Sequence, residues 1–207
     1  MADKRTDSRD KILEAAITLM RRSGLSGAGI NEIVQESGAP KGSIYYFFPK
    51  GKRQIVSEAL ALYATRGLAA WGEALSTANK PGRKIHALFD AISDRVEQGK
   101  YRASCAAGAV SLDLDDNLEM IRVAIANAFS QWIELISKHF PIEDIGRRKS
   151  FAGLVLTVIE GAFIRARAER SCKPFRDAAG WLAEIADREV TQAYRPAKRR
   201  RGRDPQR

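Results

Sequence analysis

The chain has 207 residues, 44% of them hydrophobic, which is enough apolar material for a packed core and excludes a disordered protein. Its net charge of +10 is unevenly placed: +4 in residues 1–56, +1 in residues 57–196 and +5 in residues 197–207. A basic first segment before a neutral body points that end toward a polyanion. Two cysteines without CxxC or Cys/His ligand spacing argue against a disulfide scaffold or a zinc site. The longest apolar run, 151–164, is interrupted by Glu160 and falls short of the about 20 residues that span a bilayer. The polar start has no signal-peptide core, so a cytoplasmic protein without a membrane partner is expected.

Apolar residues recur at spacings of three and four, as in Ile12, Ala15, Ala16, Leu19 and Met20, and period-two runs are nearly absent. The fold class is therefore all-α. Glycine and proline breaks divide the chain into about nine predicted helices, near 8–23, 29–36, 40–47, 52–78, 83–98, 102–111, 117–139, 146–171 and 175–194. Residues 1–7 are expected to form a disordered arm, with Thr6 or Asp7 capping the first helix, and 8–56 a DNA-binding domain. Residues 57–195 are expected to form a larger helical domain and 196–207 a disordered basic tail.

Residues 29–48 read GINEIVQESGAPKGSIYYFF. Ile30, Ile33 and Val34 mark one buried face of a short helix. Gly38 stands where that helix must end in a left-handed residue, and Pro40 suits the opening of the next. Ile44 and Phe48, four apart, face inward and leave Lys41, Ser43, Tyr45 and Tyr46 on the other sides. Two short helices joined by a tight glycine turn form a helix-turn-helix, the second helix fitting a major groove. Gly42 and Ser43 are small enough for close backbone approach to bases. Lys41 can reach a guanine edge or a phosphate, and the tyrosine hydroxyls can reach phosphates.

These residues resemble the TetR-type one-component repressors. The likeness is carried by Lys11-Ile-Leu-Glu-Ala-Ala, Gly24, Ile33-Val34, Ser37-Gly38 and Lys41-Gly42-Ser43-Ile44-Tyr45 with Phe48. Pro49-Lys50-Gly51 before Lys52 make a junction one residue longer than usual. That form, with Ile159-Glu160-Gly161-Ala162 and Ala166-Arg167-Ala168, is similar to the branch of LmrA/YxaF-type drug- and flavonoid-responsive repressors. The resemblance implies DNA contact by Asn31, by Lys41, Gly42, Ser43, Tyr45 and Tyr46 of the recognition helix, and by Lys52 on a phosphate. Ala28-Gly29 replaces the family's usual Ser/Thr cap of the second helix, and Phe47 stands where many members have histidine. The resemblance also implies a homodimer with an effector-binding domain, acting as a repressor on a pseudo-palindromic operator whose half-sites lie about 34 Å apart, or a multiple of that.

The second part carries aromatic residues on separate helices. Trp71, Phe89, Cys105, Phe129, Trp132 and Phe163 are candidates for a pocket that takes a small hydrophobic, aromatic effector, with plain core packing the competing reading for each. Cys172, beside Lys173, reads as exposed. The last two helices bear more apolar surface than one core needs, and Val155, Val158, Ile159, Ala162, Trp181 and Ile185 are candidates for a subunit contact. Glu160, on an otherwise apolar helix, requires a partner if buried: a ligand, Arg165 or Arg167. No nucleophile–base pair, metal cluster or phosphate-cradling loop is present, so no enzyme, cofactor or metal is expected. The alternative function is an architectural, effector-independent nucleic-acid binder that uses the basic tail.

Overall fold

The computed structural model describes residues 4–193, and its regular elements there are nine α-helices. Helices α1 (Lys4–Ser23), α2 (Ile30–Ser37) and α3 (Lys41–Phe47) form a head. Ile12, Ala16 and Met20 recur at four-residue spacing and put one face of α1 wholly inside. Ile33 of α2, Ile44 of α3 and Phe48 join the same core, and α1 touches α2, α3 and α4 (Lys52–Ser76). Two glycines shape the turns. Gly38 ends α2 at φ 63°, with its N–H donating to the Val34 carbonyl at 3.0 Å. Gly51 opens α4 at φ 62° and ψ −143°, a region closed to side-chain-bearing residues.

The body is built from pairs of helices. α4 lies along α7 (Glu119–His139), and α5 (Pro81–Gln98) along α9 (Lys173–Ala193). α8 (Ile145–Glu169) packs on α7 and α9, while the short α6 (Ala106–Ser111) touches α1, α4 and α7. Trp132 of α7 is the largest fully buried side chain; its indole N–H donates to the Ala64 carbonyl of α4 at 3.3 Å. Gly67 makes that approach possible, since a Cβ there would stand 2.9 Å from the indole nitrogen.

The predicted boundaries hold to within a few residues at most ends, with three differences. First, α1 begins at Lys4 rather than at 8, so part of the expected arm is helical. Asp7 lies in its first turn, where a negative charge suits the helix dipole and where Lys11 binds it at 2.6 Å; it does not cap. Second, residues 102–105 are not helical. The Ser104 N–H donates to the Arg21 carbonyl at 2.8 Å, and the Arg21 guanidinium returns a bond to the Ser104 carbonyl at 3.1 Å, so that backbone serves the junction with α1. Third, Cys172 is buried, its thiol donating to the Ser93 carbonyl at 3.3 Å. The expected tail at 196–207 and the first three residues of the expected arm lie outside the described residues.

Candidate functional sites

The outer surface of the head gathers the predicted DNA contacts. Asn31, Lys41, Gly42, Tyr45 and Tyr46 are exposed, and Ser43 and Lys52 half-buried. Tyr45 and Tyr46, 56% and 69% exposed, are bare although both are large and apolar. The Lys41 ammonium donates to the Asn31 amide oxygen at 3.4 Å, which draws α2 and α3 onto one face. A Cβ on Gly42 would meet nothing within 4 Å, so no contact within the chain demands glycine there. Lys52 is engaged: its ammonium donates to the Leu25 carbonyl at 2.7 Å and ties the start of α4 to the α1–α2 turn. α2 starts at Gly29 without a side-chain cap. Phe47 is half-buried, edge-on to Tyr46 at 4.9 Å and to Phe48 at 6.5 Å, so it packs within the head.

A cavity of about 800 Å³ lies where the head meets the body. Its wall takes Arg22, Ser23 and Gly24 from the end of α1, residues of α6 and its flanks, and one side each of α7 and α8. Three of the predicted pocket residues, Cys105, Phe129 and Phe163, line it. Trp71 and Trp132, with Phe163 again, line a smaller cavity of about 400 Å³ beside Arg21, Arg66 and Arg95. Phe89 lines neither; it is fully buried and packs edge-on to Phe175 at 6.3 Å. Residues that the sequence did not single out complete the large cavity, among them Leu112 and Ile164, 80% and 63% exposed. Bare apolar side chains at a cavity rim were the available signal, and sequence alone does not report exposure.

Two polar contacts cross beside that cavity. The Ser26 N–H at the α1–α2 turn donates to Asp113 at 3.0 Å, and the Arg167 guanidinium of α8 donates to the Arg22 carbonyl at 2.8 Å. Glu160 of α8 lies in the wall, its Oε1 buried without a hydrogen-bond partner. Burial raises its pKa from 4.5 to about 7, with the Cys105 thiol pulling the other way. Burial also pushes the Cys105 thiol well up, so it stays protonated and poorly nucleophilic at neutral pH.

On α8, Val155, Ile159 and Ala162 point into the protomer's own core and offer no surface to a second subunit. The outer stripe is Leu154, 44% exposed, then Val158 and Gly161 at helical spacing. On α9, Trp181 is 71% exposed and Ile185 half-buried beside it. No helix among the described residues is long and apolar enough to cross a membrane.

Residues 12–59 match the profile of bacterial regulatory proteins of the tetR family. Residues 81–180 match that of the LmrA/YxaF-like transcriptional regulator C-terminal domain. The chain is 32% identical over 173 residues to an HTH-type transcriptional regulator of Mycobacterium tuberculosis, covering 80% of this chain and 87% of that protein. It is 27% identical over 187 residues to the HTH-type transcriptional regulator LmrA of Bacillus subtilis, covering 88% and 98%. In fold it is similar to a TetR family regulator from Agrobacterium tumefaciens, with TM-score 0.76 at 18% identity over 88% of this chain and 98% of that one. It is also similar to a cysteine mutant of the TetR family regulator CifR solved with 26-bp operator DNA, with TM-score 0.73 at 17% identity over 88% and 96%.

Proposed function

Because this chain belongs to the TetR family, with a C-terminal domain of the LmrA/YxaF kind, and is thus a DNA-binding transcriptional regulator rather than an enzyme, we propose that it is a cytoplasmic repressor. It binds a pseudo-palindromic operator as a homodimer and is released by a small hydrophobic effector. The observation that carries this reading is the large cavity whose wall is shared by the end of α1 and the body helices. An occupant there presses on the same residues that fix the tilt of the head.

In this reading residues 8–56 read DNA and residues 57–195 bind effector and partner. Lys41 to Ser43, with Asn31, meet base edges; Tyr45, Tyr46 and Lys52 hold the sugar-phosphate backbone. Gly42 is exposed with open space around it, and Tyr45 and Tyr46 stand bare on the same helix, which supports the assignment. Lys52 also braces the α1–α2 turn. Cys105, Phe129 and Phe163 contact the effector. Leu154, Val158, Gly161, Trp181 and Ile185 meet the partner.

Effector binding strains the Ser26–Asp113 and Arg167–Arg22 contacts and shifts the two heads out of register. A coupling of about 1–3 kcal/mol lowers operator affinity by roughly 5–150-fold. Selection of random double-stranded DNA by the full chain tests the core of the reading. The expected product is a two-fold-symmetric site, and a selection that enriches no such site overturns it.

A further inference from the structure

The wall of the large cavity holds one polar atom that nothing satisfies. Glu160 Oε1 is buried and makes no hydrogen bond. A shielded carboxyl oxygen in that state is costly, so its persistence calls for a partner outside the chain. The Cys105 thiol acts on this carboxyl but leaves Oε1 without a bond, and the other neighbours are committed elsewhere. Arg165 binds Glu169 at 2.9 Å, and Arg167 donates to the Arg22 carbonyl at 2.8 Å. The hydroxyls of Ser111 and Thr157 donate to the carbonyls of Gly108 and Gly153 at 2.7 Å and 2.9 Å. Asp113, the other acid in the wall, already accepts from Ser26 at 3.0 Å. Gly108 leaves the room for this carboxyl, since a Cβ there would come within 2.2 Å of Glu160 Oε2.

We propose that the effector of this cavity is an apolar amine, whose hydrocarbon body lies on Phe129, Ile133, Leu156 and Phe163 and whose ammonium donates to Glu160 Oε1. The proposal rests on the effector reading above and deepens it. An ammonium supplies the missing donor and the opposite charge together, and charge-assisted bonds are the strong ones. A carboxylate ligand would face Glu160 and Asp113 with a like charge, and the rim guanidinium of Arg22 is shared with Glu36 at 3.9 Å. The other titratable or charged groups around Glu160 are Tyr63 of α4, Cys105 before α6, Asp113 after it, Arg22 of α1 and Arg167 of α8. Burial keeps Tyr63 and Cys105 neutral, so they do not titrate with Glu160 near neutrality. With its pKa raised to about 7, Glu160 gains charge as pH rises through neutrality, and the pull on a cation grows with it.

Three probes with one aromatic body test this: 4-phenylbenzylamine, biphenyl-4-methanol and biphenyl-4-carboxylate, titrated calorimetrically into the full chain at about pH 6 and about pH 8. The amine is expected to bind at least about tenfold tighter than the alcohol, the size of one hydrogen bond to a charged group. That preference widens toward the higher pH. Glu160→Gln, checked for folding by its melting curve, brings the amine to the level of the alcohol. If the alcohol or the acid binds as tightly as the amine, or if Glu160→Gln keeps the preference, the amine assignment fails while the cavity stands. If none of the three binds, both the amine assignment and the effector reading fall.

Discussion

Two single residues separate what the fold needs from what function needs. Gly42 lies in the first turn of α3, in open space, with no conformation that demands glycine. Alanine is the better helix former by up to about 1 kcal/mol, so Gly42→Ala is expected to raise the melting temperature slightly. In the proposed reading the added methyl would stand where the backbone approaches bases, so operator affinity measured by fluorescence anisotropy is expected to fall. Affinity unchanged or improved would remove Gly42 from the DNA face. Glu160 makes the converse point through pH. Its carboxyl keeps a proton in the fold up to about pH 7, whereas the unfolded chain releases it near 4.5. The native state therefore binds more protons between those values, and the stability tied to this group falls as pH rises through that window. Glu160→Gln has no such loss. Its stability advantage over the unsubstituted chain is expected to grow from about pH 4.5 to about pH 7, reaching at most ~3 kcal/mol, and then level off. Denaturant melts across that range check it, and a constant difference would mean the carboxyl is not held neutral. The sequence marked Glu160 as needing a partner, but not that Arg165 and Arg167 would both be engaged elsewhere. That depends on how α8 is rotated against α1, which no local pattern encodes.

At the scale of elements, most of the fold was legible because helix signals are local. Apolar spacing on α1, the glycine after α2 and the proline before α3 each act within one turn of the chain. The misread pieces are those where a distant partner wins. Residues 102–105 carry a helical pattern, yet their backbone bonds to α1 at Arg21. The faces of α8 were also ambiguous, because it is apolar nearly all round. Val155, Ile159 and Ala162 cannot be told from Leu154, Val158 and Gly161 without knowing which side meets α7 and α9. The junction between α3 and α4 gives the cleanest test of an element boundary. Gly51 has φ 62° and ψ −143°, and a Cβ there would touch nothing within 4 Å, so any cost of a side chain is backbone strain alone. Gly51→Ala is expected to lose about 1–3 kcal/mol in chemical denaturation. It should also loosen Lys52 from the Leu25 carbonyl and so weaken operator binding. A loss under about 0.5 kcal/mol would mean that the turn readily adopts another shape.

Charge and apolar surface pull apart at the scale of the whole molecule. The body is nearly neutral, so long-range attraction to DNA comes from the ends, and residues 197–207 contribute +5 of the total +10. Counterion release by such a segment adds affinity for any sequence. Deleting it is expected to lower non-specific binding and flatten its salt dependence, while the preference for the selected operator remains. A loss of that preference would favour an architectural binder over a regulator that reads its site with the head. Part of the exposed apolar surface lies on the outer faces of α8 and α9. Trp181, 71% exposed, and Leu154, 44% exposed, expose apolar area that a lone protomer leaves in water. Gly161 and Gly180 have open space where a Cβ would sit, so another backbone can come close along both helices. In the proposed homodimer, a second copy related by a two-fold axis would cover both stripes at once and carry two heads for two half-sites. Trp181→Glu places a charge in the middle of that contact without touching the core, and is expected to give monomers of unchanged helix content by light scattering and circular dichroism. Each monomer then grips one half-site, and operator affinity falls by ~10²–10⁴-fold, the advantage that two linked sites confer. A Trp181→Glu protein that stays dimeric and keeps its operator affinity would move the subunit contact to another face.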